Sequence, residues 1–219
     1  SGERLPVERD ELSRITFAPT PLQDLVTIFR GAELWKFERF IDPAGGGGGP
    51  AAVAAALFGV EATSNELDDD RSRRALRVER EWRAHLPGAA PITHTSLDLL
   101  SDDVDYSAYD AVYLFLDWTK IEFTKVMGRL REELKPGSIV IVLAPPDFGS
   151  RTRVGKGPRV SGFEAARYIR LRWGSDRSAR RAAYSATVYR RLSQPQDDDR
   201  SGTTTSLGGE EVLRERERM

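Results

Sequence analysis

Five consecutive glycines, Gly45 to Gly49, lie between Asp42 and an alanine-rich segment, and Glu66 follows about 18 residues after Gly48. Residues of these types at this spacing can hold a nucleotide. Glycines let a backbone turn tightly and approach a ligand with no side chain in the way. An acid at the end of the following strand is where a ribose is usually held. The competing reading of a glycine run is a flexible linker. A linker fits poorly between an apolar strand and a helix-forming segment.

The elements that must position these residues form one βαβ unit over residues 37–68. Phe37, Phe40 and Ile41 supply an apolar strand that ends at Asp42. Pro50 suits the first turn of a helix, where its missing N–H would be unpaired anyway, and residues 51–58 continue that helix. Glu66 closes the second strand. Upstream, Pro19 and Pro21 impose extended geometry on their predecessors, and Thr20 is placed to cap a helix over residues 22–30. Leu22, Leu25, Val26 and Phe29 share its inner face.

Downstream, Asp68, Asp69 and Asp70 put negative charge at a helix start, where the macrodipole favours it. That helix, residues 71–86, would bury Ala75, Val78, Trp82 and Leu86 before Pro87-Gly88 stops it. A third strand over residues 91–97 and a fully apolar fourth over residues 111–116 follow. Residues 119–134 form an amphipathic helix through Phe123, Met127, Leu130 and Leu134, and residues 138–144 a fifth strand. Residues 167–173 and 184–192 alternate in polarity with no long helix between them, which predicts an antiparallel pair closing the sheet. The fold class is therefore α/β, a doubly wound, mostly parallel, seven-stranded Rossmann-like sheet. Residues 1–14 read as an extended charged arm, residues 15–193 as the domain, and residues 194–219 as a polar tail that a partner would have to order.

At 219 residues the chain is long enough for one α/β domain with a sizeable core. Residues 1–110 carry 12 basic and 20 acidic side chains, whereas residues 151–191 carry 12 basic and 2 acidic ones. The block from Arg151 to Arg191 is thus a candidate docking face for RNA or an acidic protein, or a solvated face balanced by the acidic half. Cysteine is absent, which excludes thiolate catalysis, disulfides and cysteine-ligated metal. His85 and His94 read as a helix-end and a strand residue without catalytic roles, and no metal site is expected. No apolar run has the length of a membrane span, and no secretory core appears. The sequence opens at Ser1 rather than Met, as a processed or a trimmed chain would, and a removed targeting segment would leave no trace in it.

A P-loop would need Gly-Lys-Ser/Thr where Gly49-Pro50-Ala51 stands, so that reading fails. A dinucleotide-binding fold tolerates Gly46, Gly48, Ala51 and Glu66 but expects a second parallel half rather than a closing antiparallel pair. Several segments occur in an order that resembles the seven-strand, S-adenosylmethionine-dependent protein-lysine methyltransferases. The resemblance is to the small prokaryotic and mitochondrial group acting on the ATP synthase c-subunit and the adenine-nucleotide translocase. It rests on Phe17-Ala18-Pro19-Thr20-Pro21, on Asp42 through Gly49 against that family's Asp-Leu-Gly-Ser-Gly-Asp-Gly-Arg, and on Glu66-Leu67-Asp68-Asp69. Asp98-Leu99, the aliphatic run from Val112 to Leu116, and Glu133 to Gly137 continue it.

The resemblance implies S-adenosylmethionine as cofactor. Asp42, Ala44, Gly46 and Gly48 would bind it, with Gly46 and Gly48 approaching its methionine end, Glu66 would hold the ribose, and Asp98 would contact the adenine. Thr20, Asp117 and Trp118 would face the substrate. Methyl transfer from a sulfonium needs a positioned, deprotonated amine more than a strong base, so the lack of a histidine or cysteine constellation is no obstacle. The chain departs from the family at Ala44, where the first motif glycine stands, and at Gly47, where an acid stands. Positive φ at Ala44 would strain the turn. Two functions follow from this degenerate motif: an active protein-lysine methyltransferase, or a pseudoenzyme that kept the fold. The latter would serve as a structural subunit of a large mitochondrial assembly, the ribosome or ATP synthase, docking through residues 151–191 and the tail.

Overall fold

The computed structural model describes residues 20–115, 120–144, 159–171 and 184–193. Four helices, α1 (Leu22–Gly31), α2 (Gly49–Phe58), α3 (Asp69–Arg83) and α4 (Lys120–Glu133), flank one sheet. The sheet strands are β1 (Arg39–Asp42), β2 (Glu61–Asn65), β3 (Ile92–Thr95), β4 (Ala111–Phe115), β5 (Ile139–Ala144), β6 (Phe163–Arg170) and β7 (Ser185–Arg191). Their order is β3-β2-β1-β4-β5-β7-β6. The pairs from β3 to β5 are parallel, and β7 pairs antiparallel with both β5 and β6. This is the doubly wound sheet with an antiparallel closing pair that the sequence pattern predicts. The order reverses between β1 and β4, which opens a crevice at the carboxyl ends of those strands.

Each central strand feeds two cores, because successive side chains point to opposite faces. Phe40, Tyr113 and Ile141 join Ile28 and Phe29 of α1 and Ala54 of α2 on one side. Ile41, Val112 and Val140 join Met127 and Leu130 of α4 on the other. Phe29 meets Phe40 and Tyr113 edge to face, at centroid distances of 5.4 and 5.8 Å.

Some expectations need correction. Phe37 is not in the strand but ends a 3-10 turn, Leu34–Lys36, and packs half-buried against the core. Thr20 does not cap α1. Pro21 is the cap residue, without a side-chain hydrogen bond, and Thr20 reaches Tyr113 instead. Leu22 is exposed in the first turn, and Ile28 takes its place in the core. Helix α3 stops at Arg83, leaving Leu86 outside it and exposed. Val78 is also exposed, because Ala75 and Glu79 occupy the inward side. Strand β6 starts at Phe163, earlier than its polarity pattern predicts, because a bulge between Ala165 and Arg167 breaks the alternation. The extended arm, Phe17 and Pro19, residues 116–119, Trp173, much of the basic block and the polar tail lie outside the described residues.

Candidate functional site

The crevice is built around the turn that leaves β1. Gly46 and Gly48 have φ of 53° and 75°, a region that favours glycine. Gly45 is required for a different reason: a Cβ there would lie 2.3 Å from Ser64 Oγ. The Gly45 N–H donates to the Asn65 carbonyl at 2.7 Å, which lays the turn on the end of β2. A Cβ on Gly48 would meet Ala75 at 3.0 Å, so α3 closes the turn from the other side. Ala44 is exposed and lies outside the positive-φ region, where Glu33 is the sole non-glycine among the described residues. The expected strain at Ala44 is therefore absent.

Glu66 sits one residue beyond β2 and grips this turn. Its Oε2 accepts the Gly46 N–H at 2.8 Å and its Oε1 accepts the Asp68 N–H at 2.9 Å. A carboxylate offers about four lone-pair directions, so each oxygen keeps spare acceptor capacity. Asp42, at the end of β1, is buried and accepts the Ala44 N–H at 3.3 Å. Burial pushes its carboxyl up to about 8; the Ala44 N–H opposes the rise and the negative charge of Glu66 adds to it. Ser64, its register partner on β2, is buried with a hydroxyl that has no hydrogen-bond partner among the described residues.

Asn65 carries no signal in the sequence, yet it ties the site together. Its Nδ2 donates to the carbonyls of Pro43 at 2.9 Å and Leu97 at 2.8 Å. Its Oδ1 accepts the Thr95 hydroxyl and the Leu97 N–H, each at 2.9 Å. One buried amide thereby joins the glycine turn to the segment after β3. The clue available from sequence is its place, a polar residue beside the acid at a strand end.

The remaining candidates are less central. Asp98 is exposed one residue beyond that tied segment, and its Oδ1 accepts the Leu100 N–H at 2.9 Å in a local turn. Thr20 Oγ1 lies 3.0 Å from the hydroxyl of buried Tyr113, whose phenol burial pushes well above the usual range. Asp117 and Trp118 lie outside the described residues. His94 pairs with Glu79 at 2.6 Å, and Glu79 also pairs with Arg83 at 2.7 Å, an internal network between β3 and α3. Arg129 fastens the acidic loop before β4 by donating to the carbonyls of Leu99, Ser101 and Val104. No grouping of metal-ligating side chains occurs among the described residues. The arrangement can accept hydroxyl donors and balance a cationic group.

Neither a protein-family model nor a curated protein matches the sequence. Solved structures do match in fold. An RNA methyltransferase from Salinibacter ruber, in complex with S-adenosyl-L-homocysteine, superposes with a TM-score of 0.58 at 19% identity, covering 83% of this chain and 98% of that one. The rRNA methyltransferase AviRa from Streptomyces viridochromogenes gives 0.55 at 14% identity, covering 80% and 86%. The [4+2]-cyclase SpnF gives 0.59 at 16%, covering 79% and 81%. One fold thus carries different chemistries, and likeness at such identity speaks to architecture alone. The chain has the seven-stranded, Rossmann-like methyltransferase fold.

Proposed function

We propose that the chain binds S-adenosylmethionine against the glycine turn and positions its methyl group for transfer to a protein lysine. The observation that carries this reading is the grip of Glu66 on the turn: a carboxylate with spare acceptor capacity is held against a turn whose glycines have positive φ. The residues fit the group. Glu66 offers acceptors for ribose hydroxyls, and the side-chain-free backbone of residues 45–49 permits close approach. Asp42 stands as a buried carboxyl held protonated by its burial, and an ammonium placed beside it would favour its ionised form. Bound there, the cofactor supplies a methyl group activated by a sulfonium. The protein's own part is to orient, to exclude water and to hold the acceptor amine in line. The lysine acceptor comes from the family resemblance; the names of the Salinibacter and Streptomyces structures support an RNA acceptor as the alternative.

Calorimetric titration of the whole chain with S-adenosylmethionine tests the reading. Micromolar binding that disappears in Glu66→Ala supports it, and no heat at millimolar ligand rejects it. Radiolabelled methyl transfer to protein or RNA fractions then separates the acceptors.

A second reading, a non-catalytic subunit of a large mitochondrial assembly, is favoured by the missing acid at Gly47 and by the exposure of Arg159, Arg170 and Arg190. Arg191 takes no part, since it is buried and donates to the carbonyls of Arg131 and Gly162. Charge reversal at Arg170 and Arg190 should release the protein from that assembly. Unchanged co-sedimentation counts against it.

A further inference from the structure

Three side chains stand in a row beneath the glycine turn. Asp42 on β1 is the register partner of Ser64 on β2, and Ser64 is the register partner of His94 on β3. Register partners on adjacent parallel strands leave the sheet on one face, about 5 Å apart. Gly45 lies over Ser64 and Gly48 over His94: Cβ atoms added to these glycines would stand 2.3 Å from Ser64 Oγ and 3.8 Å from His94 Cε1. Asp42 is 3% exposed and Ser64 2%.

The row is incomplete at one end. His94 pairs with Glu79, and Glu79 with Arg83, so that end is internally neutralised. Asp42 has no such partner: among the described residues its carboxyl receives only the Ala44 N–H, at 3.3 Å. Glu66, beyond the end of β2, repels its charge, while Tyr113 of β4 feels that charge and, from α1, the charge of Asp24. None of these groups is a cation, and burial holds the Asp42 carboxyl protonated at neutral pH.

The Ser64 hydroxyl has no hydrogen-bond partner among the described residues. A buried donor beside a neutral carboxyl gains an acceptor once that carboxyl ionises, because a hydrogen bond to a carboxylate is about twice as strong as one to a neutral group. An incoming ammonium supplies the missing counter-charge. A cation a few ångströms from a buried acid favours its ionised form, and the proton must then leave.

We propose that the site trades a proton for its ligand's ammonium group. The ammonium settles beside Asp42, the Asp42 O–H bond breaks, and the proton leaves to solvent. The Ser64 hydroxyl then donates to the carboxylate left behind. The exchange rests on the binding of S-adenosylmethionine proposed above, since that ligand carries the ammonium, and it makes that binding proton-linked. Affinity should rise about tenfold per pH unit from about pH 6 and level off near pH 8, where free Asp42 is already ionised.

Calorimetric titration of the full chain in two buffers of different ionisation enthalpy counts the protons released. S-adenosyl-L-homocysteine carries the ammonium, and 5′-methylthioadenosine lacks it. At about pH 6.5 the first probe should release about one proton and the second none. The release should vanish in Asp42→Asn. Ser64→Ala should still release the proton, with the midpoint of its affinity profile about one pH unit higher, because the ionised acid loses its donor. Binding of S-adenosyl-L-homocysteine without proton release overturns the proposal and leaves cofactor binding standing, whereas no binding of either probe overturns both. Equal release with 5′-methylthioadenosine overturns the ammonium as the cause, and unchanged release in Asp42→Asn overturns Asp42 as the source. An unshifted profile in Ser64→Ala overturns the part given to the serine. Should Asp42→Asn fold poorly, the comparison of the two probes on the native chain decides alone.

Discussion

Glu66 and Gly46 close the mouth of the turn between β1 and α2, with the carboxylate Oε2 accepting the glycine N–H at 2.8 Å. Because the other oxygen holds the Asp68 N–H, the same side chain fixes both the turn and the entry to α3. Charge-assisted bonds of this kind contribute about 1.5–3 kcal/mol. Glu66→Ala should therefore lose about 2 kcal/mol in urea denaturation as well as any cofactor binding. Glu66→Gln keeps one acceptor and should lose about half as much. A Glu66→Ala protein as stable as the native chain would show that the grip is incidental.

The Asp42 carboxyl sets a pH dependence. Its pKa rises from 3.8 to about 8 on folding, chiefly through burial. Between those values the folded chain holds a proton that the unfolded chain has released, so stability falls as pH rises. The slope is about 1.4 kcal/mol per pH unit from this group, flattening above about pH 8, where both states are ionised. Urea denaturation at several pH values between 5 and 8 should show that slope in the native chain and its loss in Asp42→Asn. The difference between the two proteins isolates Asp42 from other titrating groups. Equal slopes would refute the assignment.

How much of this was legible in the sequence depends on the range of the interaction. The βαβ unit and the strand alternation follow from periodicity, which is local, and both appear in the sheet order. Gly46 and Gly48 were identifiable because a positive φ leaves a mark on residue type. Asn65 was not, because its four bonds reach residues 22 to 32 positions away in sequence only after β2 and β3 pair. Val78 misled because it has the right period for a helix whose inward side is set by Glu79 and the tertiary partner His94. Arg191 looked like part of a surface block and is a buried staple. Charge counts along a chain cannot separate those roles.

Gly45 and Ser64 should be energetically coupled. Alanine at 45 places a Cβ 2.3 Å from Ser64 Oγ, and the buried hydroxyl has little room to turn away. Gly45→Ala should cost about 1–3 kcal/mol, as overpacking does. Ser64→Ala removes a buried hydroxyl without a hydrogen-bond partner among the described residues and should stabilise by about 1 kcal/mol. In the double variant the nearest remaining atoms, Asn65 O and Ser64 Cβ, lie 3.4 Å away, so most of the penalty should vanish. A double-mutant cycle by thermal or urea unfolding reads the coupling directly. Additive single effects would mean that the turn moves away instead of clashing.

Asn65 should be the least replaceable residue of the site. Alanine there strands two carbonyls, one hydroxyl and one N–H that are now paired. Solvent can reach part of this set after relaxation, so the expected loss is about 3 kcal/mol rather than the sum of four unpaired groups. Asn65→Asp should do worse at neutral pH, because a carboxylate would face the Pro43 and Leu97 carbonyls that now receive an N–H. Amide exchange distinguishes local from global loss: the Leu97 N–H should lose protection in Asn65→Ala before the central strands β1 and β4 do. If Asn65→Ala unfolds within 1 kcal/mol of the native chain, or Leu97 keeps its protection, the amide is not what joins the glycine turn to the segment after β3.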